Sequence, residues 1–143
     1  MATTVAAYSR GRGGWDYRVC PKTGLKICAQ AERLIKANAV AAVVFLALGG
    51  LFGLSVALTR WPAVHLLPAD TFYMVLTAHG LDALIVWIIF FEIAVLYFAS
   101  AILLNSRLAA PRWAWTGFAL MIIGALMVNV AVLTISEIGR AHV

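Results

Sequence analysis

From Ala37 to Thr59 the chain runs for 23 residues without a single charge. About 20 apolar residues suffice to cross the hydrocarbon core of a bilayer. Lipid offers no water to satisfy backbone N–H and C=O groups, so such a run crosses as a helix. A second uncharged run, Trp113 to Ser136, has 24 residues. The whole chain of 143 residues is 64% hydrophobic and only 12% charged, whereas soluble domains hold about 45–50% apolar residues and about a quarter charged. The excess apolar surface calls for lipid as its solvent.

The punctuation between these runs sets the organisation. Arg60-Trp61-Pro62 ends the first helix, since Trp suits the membrane interface and Pro cannot continue a helix. Residues 61–70 (WPAVHLLPAD) form a short loop, and Asp70 or Thr71 is expected to cap a second helix. That helix extends from about Phe72 to Leu104, roughly 50 Å at 1.5 Å per residue, so it must tilt or project from the membrane. Residues 105–112 (NSRLAAPR) make a basic turn before the third span. The expected fold is all-α and membrane-embedded, with three transmembrane helices over about 37–59, 72–104 and 113–136.

Residues 1–36 read as a basic cytoplasmic leader, flexible to about Gly24, with 26–36 (KICAQAERLIK) as an amphipathic turn on the membrane surface. The net charge is +5, and seven of eleven basic residues precede position 37: Arg10, Arg12, Arg18, Lys22, Lys26, Arg33 and Lys36. Beside a hydrophobic span, such a cluster reads as a topology determinant facing anionic lipid, and it argues against a nucleic-acid partner. With Arg107 and Arg112 in the second turn, the positive-inside rule puts the N-terminus in the cytoplasm and the 61–70 loop outside. Cys20 and Cys28 have neither CxxC spacing nor the CH partner of a covalent haem site, so they read as two thiols in the leader. Residues 137–143 (EIGRAHV) match one reading frame of a common sequencing-library adapter, so the natural protein is expected to continue beyond Ser136, and His142 is set aside as a ligand.

The middle span alone carries ionisable residues: His79, Asp82 and Glu92. An ionisable side chain within a span costs a few kcal/mol on insertion scales, which marks it as a functional candidate. Neutral imidazole is a good iron ligand, and His79 lies roughly 10 Å below the outer end of its helix. Position alone leaves open a structural hydrogen bond to a carbonyl of another helix. Gly80 next to it leaves room for a large planar ring system.

Residues 30–91 resemble subunit I of the haem–copper oxidases. The likeness rests on a first span ending FLALGG at 45–50, on Arg60 near its outer end, and on LLPADTFYMVLTAHG at 66–80 followed by apolar residues and WIIFFE. A Thr-x-His-Gly early in the second helix, after a tyrosine and a short outer loop, resembles that family's signature for the low-spin haem ligand. The resemblance implies that this chain is the first part of a roughly twelve-helix fold and that His79 takes an axial position on a low-spin haem iron. It further implies a second haem and copper in the intact protein, oxygen reduction with proton uptake, other oxidase subunits, and cytochrome c or a quinol as electron donor. The location implied is a bacterial or archaeal plasma membrane, with the chain passing through it several times. The second haem histidine, the copper ligands and the redox tyrosine would lie in later helices, so this segment alone would be inactive.

Arg60 could reach haem propionates, or serve topology alone. Asp82 stands where Asn or Met is more usual; it could hydrogen-bond a haem substituent or a neighbouring helix, or be protonated. Glu92, on another face, could serve a proton path, and the reading preferred is that it snorkels to the cytoplasmic headgroups. Trp87, Phe90, Phe91, Tyr97 and Phe98 read as packing or lipid contacts, and Gly49, Gly50, Gly53, Gly117 and Gly124 as close-packing points. Where well-studied oxidases carry an Ala-Pro-Asp that opens a proton channel, this chain has Ala110-Pro111-Arg112, and a cation there gives that channel no support. The departure tilts toward a divergent oxidase branch or a nitric oxide reductase of the same superfamily. A small three-span accessory or transport subunit without haem is the alternative of another class, and a four-helix cytochrome b type would need paired histidines within the spans.

Overall fold

The computed structural model describes residues 9–10 and 16–140, with side chains described for 16–134. Three helices are long and apolar enough to cross a membrane. We label them α1 (Ala29–Arg60), α2 (Ala69–Leu103) and α3 (Pro111–Arg140). They run alternately up, down and up, as short connections require of antiparallel neighbours.

Helix α1 starts at Ala29, not Ala37. The charged residues 32–36 therefore extend the span as a helix instead of forming a separate surface turn. At 32 residues it is about 48 Å long, so its first turns stand clear of a 30 Å hydrocarbon core. Glu32 can then occupy a buried position on a membrane-spanning helix: it accepts two hydrogen bonds from Arg18, at 2.9 and 3.0 Å, and pairs with Lys36 at 2.7 Å.

Arg18 belongs to a small antiparallel sheet that the sequence reading missed. Its strands are β1 (Ser9–Arg10), β2 (Asp16–Val19) and β3 (Lys26–Cys28), in the order β1-β2-β3. Tyr17 pairs with Cys28, and Val19 with Lys26. The turn between β2 and β3 closes with Gly24 N–H donating to the Cys20 carbonyl at 2.8 Å, and Gly24 takes a φ of 69°, which glycine adopts without a Cβ penalty. Lys26–Cys28 is thus a strand, not part of a surface helix. Residues 1–8 and 11–15, also assigned to the flexible leader, lie outside the described residues.

Helix α2 begins at Ala69 after Pro68, so neither Asp70 nor Thr71 is its cap; Asp70 sits in the first turn, where its charge suits the helix dipole. Two π-helical turns interrupt α2, at Asp82–Val86 and Ala99–Leu103. In the first, the Trp87 N–H reaches back to the carbonyl of Asp82. Such single-turn bulges rotate the downstream helix relative to the upstream part and often accompany functional sites.

The core between helices centres on Ala41, Ala42, Phe45 and Phe90, with Phe118 and Met121 of α3 against it. Phe45 and Phe90 stack at 5.5 Å between ring centroids, and Phe118 meets Phe90 edge-on at 6.0 Å. Phe90 is therefore a packing residue, whereas Phe91 and Phe98 are exposed to the surroundings of the bundle. The opposite side of α3, with Leu120, Ile123, Met127 and Val130 exposed, awaits lipid or protein. The backbone of residues 137–140 continues α3, and 141–143, including His142, lie outside the described residues.

Candidate functional site

His79 sits in the third turn of α2, facing α1. Gly49 and Gly53, one helical turn apart, share the α1 face that meets it. A Cβ at Gly53 would lie 2.7 Å from His79 Cε1 and 2.9 Å from Nδ1, so only glycine admits the ring here. A Cβ at Gly49 would come within 3.0 Å of the Ala83 backbone nitrogen and 3.2 Å of the Asp82 Cβ. These two positions are close-packing points as expected. Gly50, Gly117 and Gly124 have nothing within 4 Å of a would-be Cβ and are not.

The approach brings His79 Nδ1 to 2.8 Å from the Gly49 carbonyl oxygen. A carbonyl can only accept, so Nδ1 carries the proton and donates. In the neutral ring this fixes the tautomer and leaves the lone pair on Nε2, which makes no hydrogen bond among the described residues. Metal-bound imidazoles are commonly oriented this way, one nitrogen donating to a carbonyl while the other ligates. The ring is partly exposed, and Gly80 beside it faces open space. The donor chemistry of this imidazole therefore fits a haem iron. Among the described residues no group of three or more His, Cys, Asp and Glu side chains gathers to hold a metal. The site offers a single imidazole nitrogen as a donor.

Asp82 is fully buried one turn after His79. Its Oδ1 accepts a hydrogen bond of 3.0 Å from Asn129 Nδ2 on α3, and Asn129 also donates to the Ala125 carbonyl at 3.0 Å. Of the contacts open to Asp82 in the sequence, the structure contains the one to a neighbouring helix. Asp82 Oδ2 and Asn129 Oδ1 are buried without partners among the described residues. Asn129 escaped the sequence reading, although a lone amide in an otherwise apolar span is itself a signal of an interhelical contact.

Arg60 ends α1 at the same membrane face from which α2 enters, and its guanidinium lies 5.7 Å above the Phe72 ring. It is exposed and free to reorient. Glu92 is also exposed, on the part of α2 beyond the first π turn. Trp87 donates its indole N–H to the Ala83 carbonyl at 2.6 Å, a local contact within α2.

Cys20 and Cys28 are both free thiols, the second buried at the end of β3 against Ala31 and Ala101. Thr23, the backbone of Lys22 and Thr23, and the charge of Arg18 hold the Cys20 thiol below its ordinary value.

Comparison with curated proteins gave no match, nor did comparison with solved structures. The family model described as Cytochrome C and Quinol oxidase polypeptide I matches residues 33–143, which takes in all three spans and the His79 site. The three-helix membrane architecture and this match agree with the likeness read around Thr77-Ala78-His79-Gly80, and the chain belongs to the haem–copper oxidase subunit I family.

Proposed function

We propose that this chain forms the first three spans of the catalytic subunit of a respiratory terminal oxidase, and that His79 Nε2 is an axial ligand of its low-spin haem. The observation that carries the reading is the Nδ1–H···O=C hydrogen bond to Gly49, which leaves the Nε2 lone pair without a hydrogen bond among the described residues. When bound, the haem would supply one-electron transfer toward the oxygen-reducing centre.

The residues of this chain do the holding and orienting. Gly53 gives the imidazole its slot, and Gly49 fixes the tautomer and ring direction. A donating Nδ1–H also makes the opposite nitrogen a stronger donor toward a metal. Arg60, at the outer end, supplies a cation for the acidic edge groups of the macrocycle. Asp82 acts on α3 through Asn129 and thereby sets how α2 sits against its neighbours. In this reading the intact protein adds a second haem histidine, copper, a second haem and its companion subunits. It takes electrons from cytochrome c or a quinol at a prokaryotic plasma membrane, with the N-terminus in the cytoplasm.

A nitric oxide reductase of the same superfamily is a second reading. It is favoured by one observation, the cation Arg112 after Ala110-Pro111, where a proton-collecting acid would suit a pumping oxidase. Oxygen and nitric oxide consumption by membranes expressing the intact protein separates the two: oxygen uptake without nitric oxide turnover supports the oxidase, and the reverse supports the reductase.

A further inference from the structure

At the end of the bundle where α1 and α3 begin, an apolar groove of about 700 Å³ opens between them. Val40, Val44, Phe118, Ile122 and Leu126 line its length, and Arg33 and Lys36 stand at its mouth. A shallower hollow of about 430 Å³ adjoins it, sharing Arg33 and Trp115 and adding Arg112 and Gln30. The two arginines thus come from different helices to one place beside an interfacial tryptophan. We propose that this groove binds a phospholipid with an anionic headgroup, its phosphate held by Arg33 and Arg112 and one acyl chain lying between α1 and α3.

Charge identifies the occupant. Glu32, the acid next to Arg33 in the chain, is taken up by Arg18 and Lys36. Among the described residues neither Arg33 nor Arg112 has an ion pair, so two guanidinium groups face outward without a counter-charge. Guanidinium groups match phosphate oxygens in pairs of parallel hydrogen bonds. Basic hollows between transmembrane helices are suited to acidic lipid headgroups. Depth agrees as well: from Arg33 to Val44 the helix rises about 16 Å, close to the ~15 Å of one hydrocarbon leaflet. Trp115 sits where the polar and apolar parts of such a lipid meet. A soluble phosphate compound would use the arginines but leave the groove below them empty.

The test uses the intact protein, delipidated in neutral detergent, with Trp fluorescence and native mass spectrometry as readouts. Phosphatidylglycerol is expected to bind roughly tenfold tighter than phosphatidylcholine, and glycerol 3-phosphate, which has no acyl chain, to bind far more weakly than either. Arg33→Gln with Arg112→Gln should erase the preference for the anionic lipid, and Val44→Trp should weaken both lipids, each with an unchanged haem spectrum and melting temperature as evidence of folding. Equal binding of the two lipids by the unaltered protein overturns the proposal. So does a preference that survives the double arginine substitution, or a groove that binds neither lipid because another helix of the protein fills it.

Discussion

The Nδ1 of His79 and the carbonyl oxygen of Gly49 lie 2.8 Å apart, joining two spans across 30 residues of sequence. This contact decides which ring nitrogen is available, and it exists only because α1 presents glycine at both 49 and 53.

Filling that slot should displace the ring. Gly53→Leu places carbon where His79 Cε1 and Nδ1 now sit, and overpacking of this kind costs about 1–3 kcal/mol. Reduced-minus-oxidised difference spectra of the purified variant should show a shifted or diminished low-spin haem band, with a lowered melting temperature. Gly50→Ala, which meets nothing within 4 Å, should leave both unchanged.

The Asp82–Asn129 bond ties α2 to α3. Asp82→Ala leaves the Asn129 amide short of an acceptor within the bundle and should destabilise by about 1–3 kcal/mol, measured by unfolding in mixed micelles. A double-mutant cycle with Asn129→Ala should return a coupling of roughly 0.6–1.7 kcal/mol, the range for hydrogen bonds between membrane helices. Asp82→Asn keeps an acceptor in place and should cost less than the alanine.

The spans were legible because lipid leaves so little choice: runs such as Ala37–Thr59 and Trp113–Ser136 have no other stable form. His79 stood out for the same reason, as a costly polar group in an apolar run. The sheet was not legible, since three strands of two to four residues carry almost no periodic signal. The early start of α1 was hidden because Glu32 and Arg33 look like solvent-facing residues, and only the fold brings Arg18 to neutralise Glu32 from 14 residues away. The π turn at Asp82 and the distant partner Asn129 both arise from how the helices dock, which no local pattern encodes.

Removing Arg18 should loosen the sheet from α1. Arg18→Ala removes the two hydrogen bonds that Glu32 accepts from Arg18, and a partly exposed pair of this kind contributes ~1 kcal/mol. Cys28, buried at the end of β3 against Ala31 and Ala101, should then react with a water-soluble maleimide severalfold faster in an otherwise intact protein with Cys20→Ser.

Cys20 should be reactive at lower pH than an ordinary thiol. Its folded value is depressed by the Thr23 hydroxyl first, then by neighbouring backbone groups and Arg18. The thiolate is the reactive form, so alkylation of Cys20 should rise at a lower pH than for a free peptide thiol. Thr23→Ala should move that rise upward. The sign for stability follows: the preference for the folded thiolate is present above the ordinary thiol value and is lost as pH falls through the depressed one.

The central claim is the bond from His79 to haem iron, and the optical spectrum of His79→Ala in the intact, membrane-expressed protein tests it most directly. The account predicts loss of the low-spin haem absorption band, with partial recovery when free imidazole is added to occupy the vacated position. A variant whose low-spin spectrum matches that of the unaltered protein would contradict it.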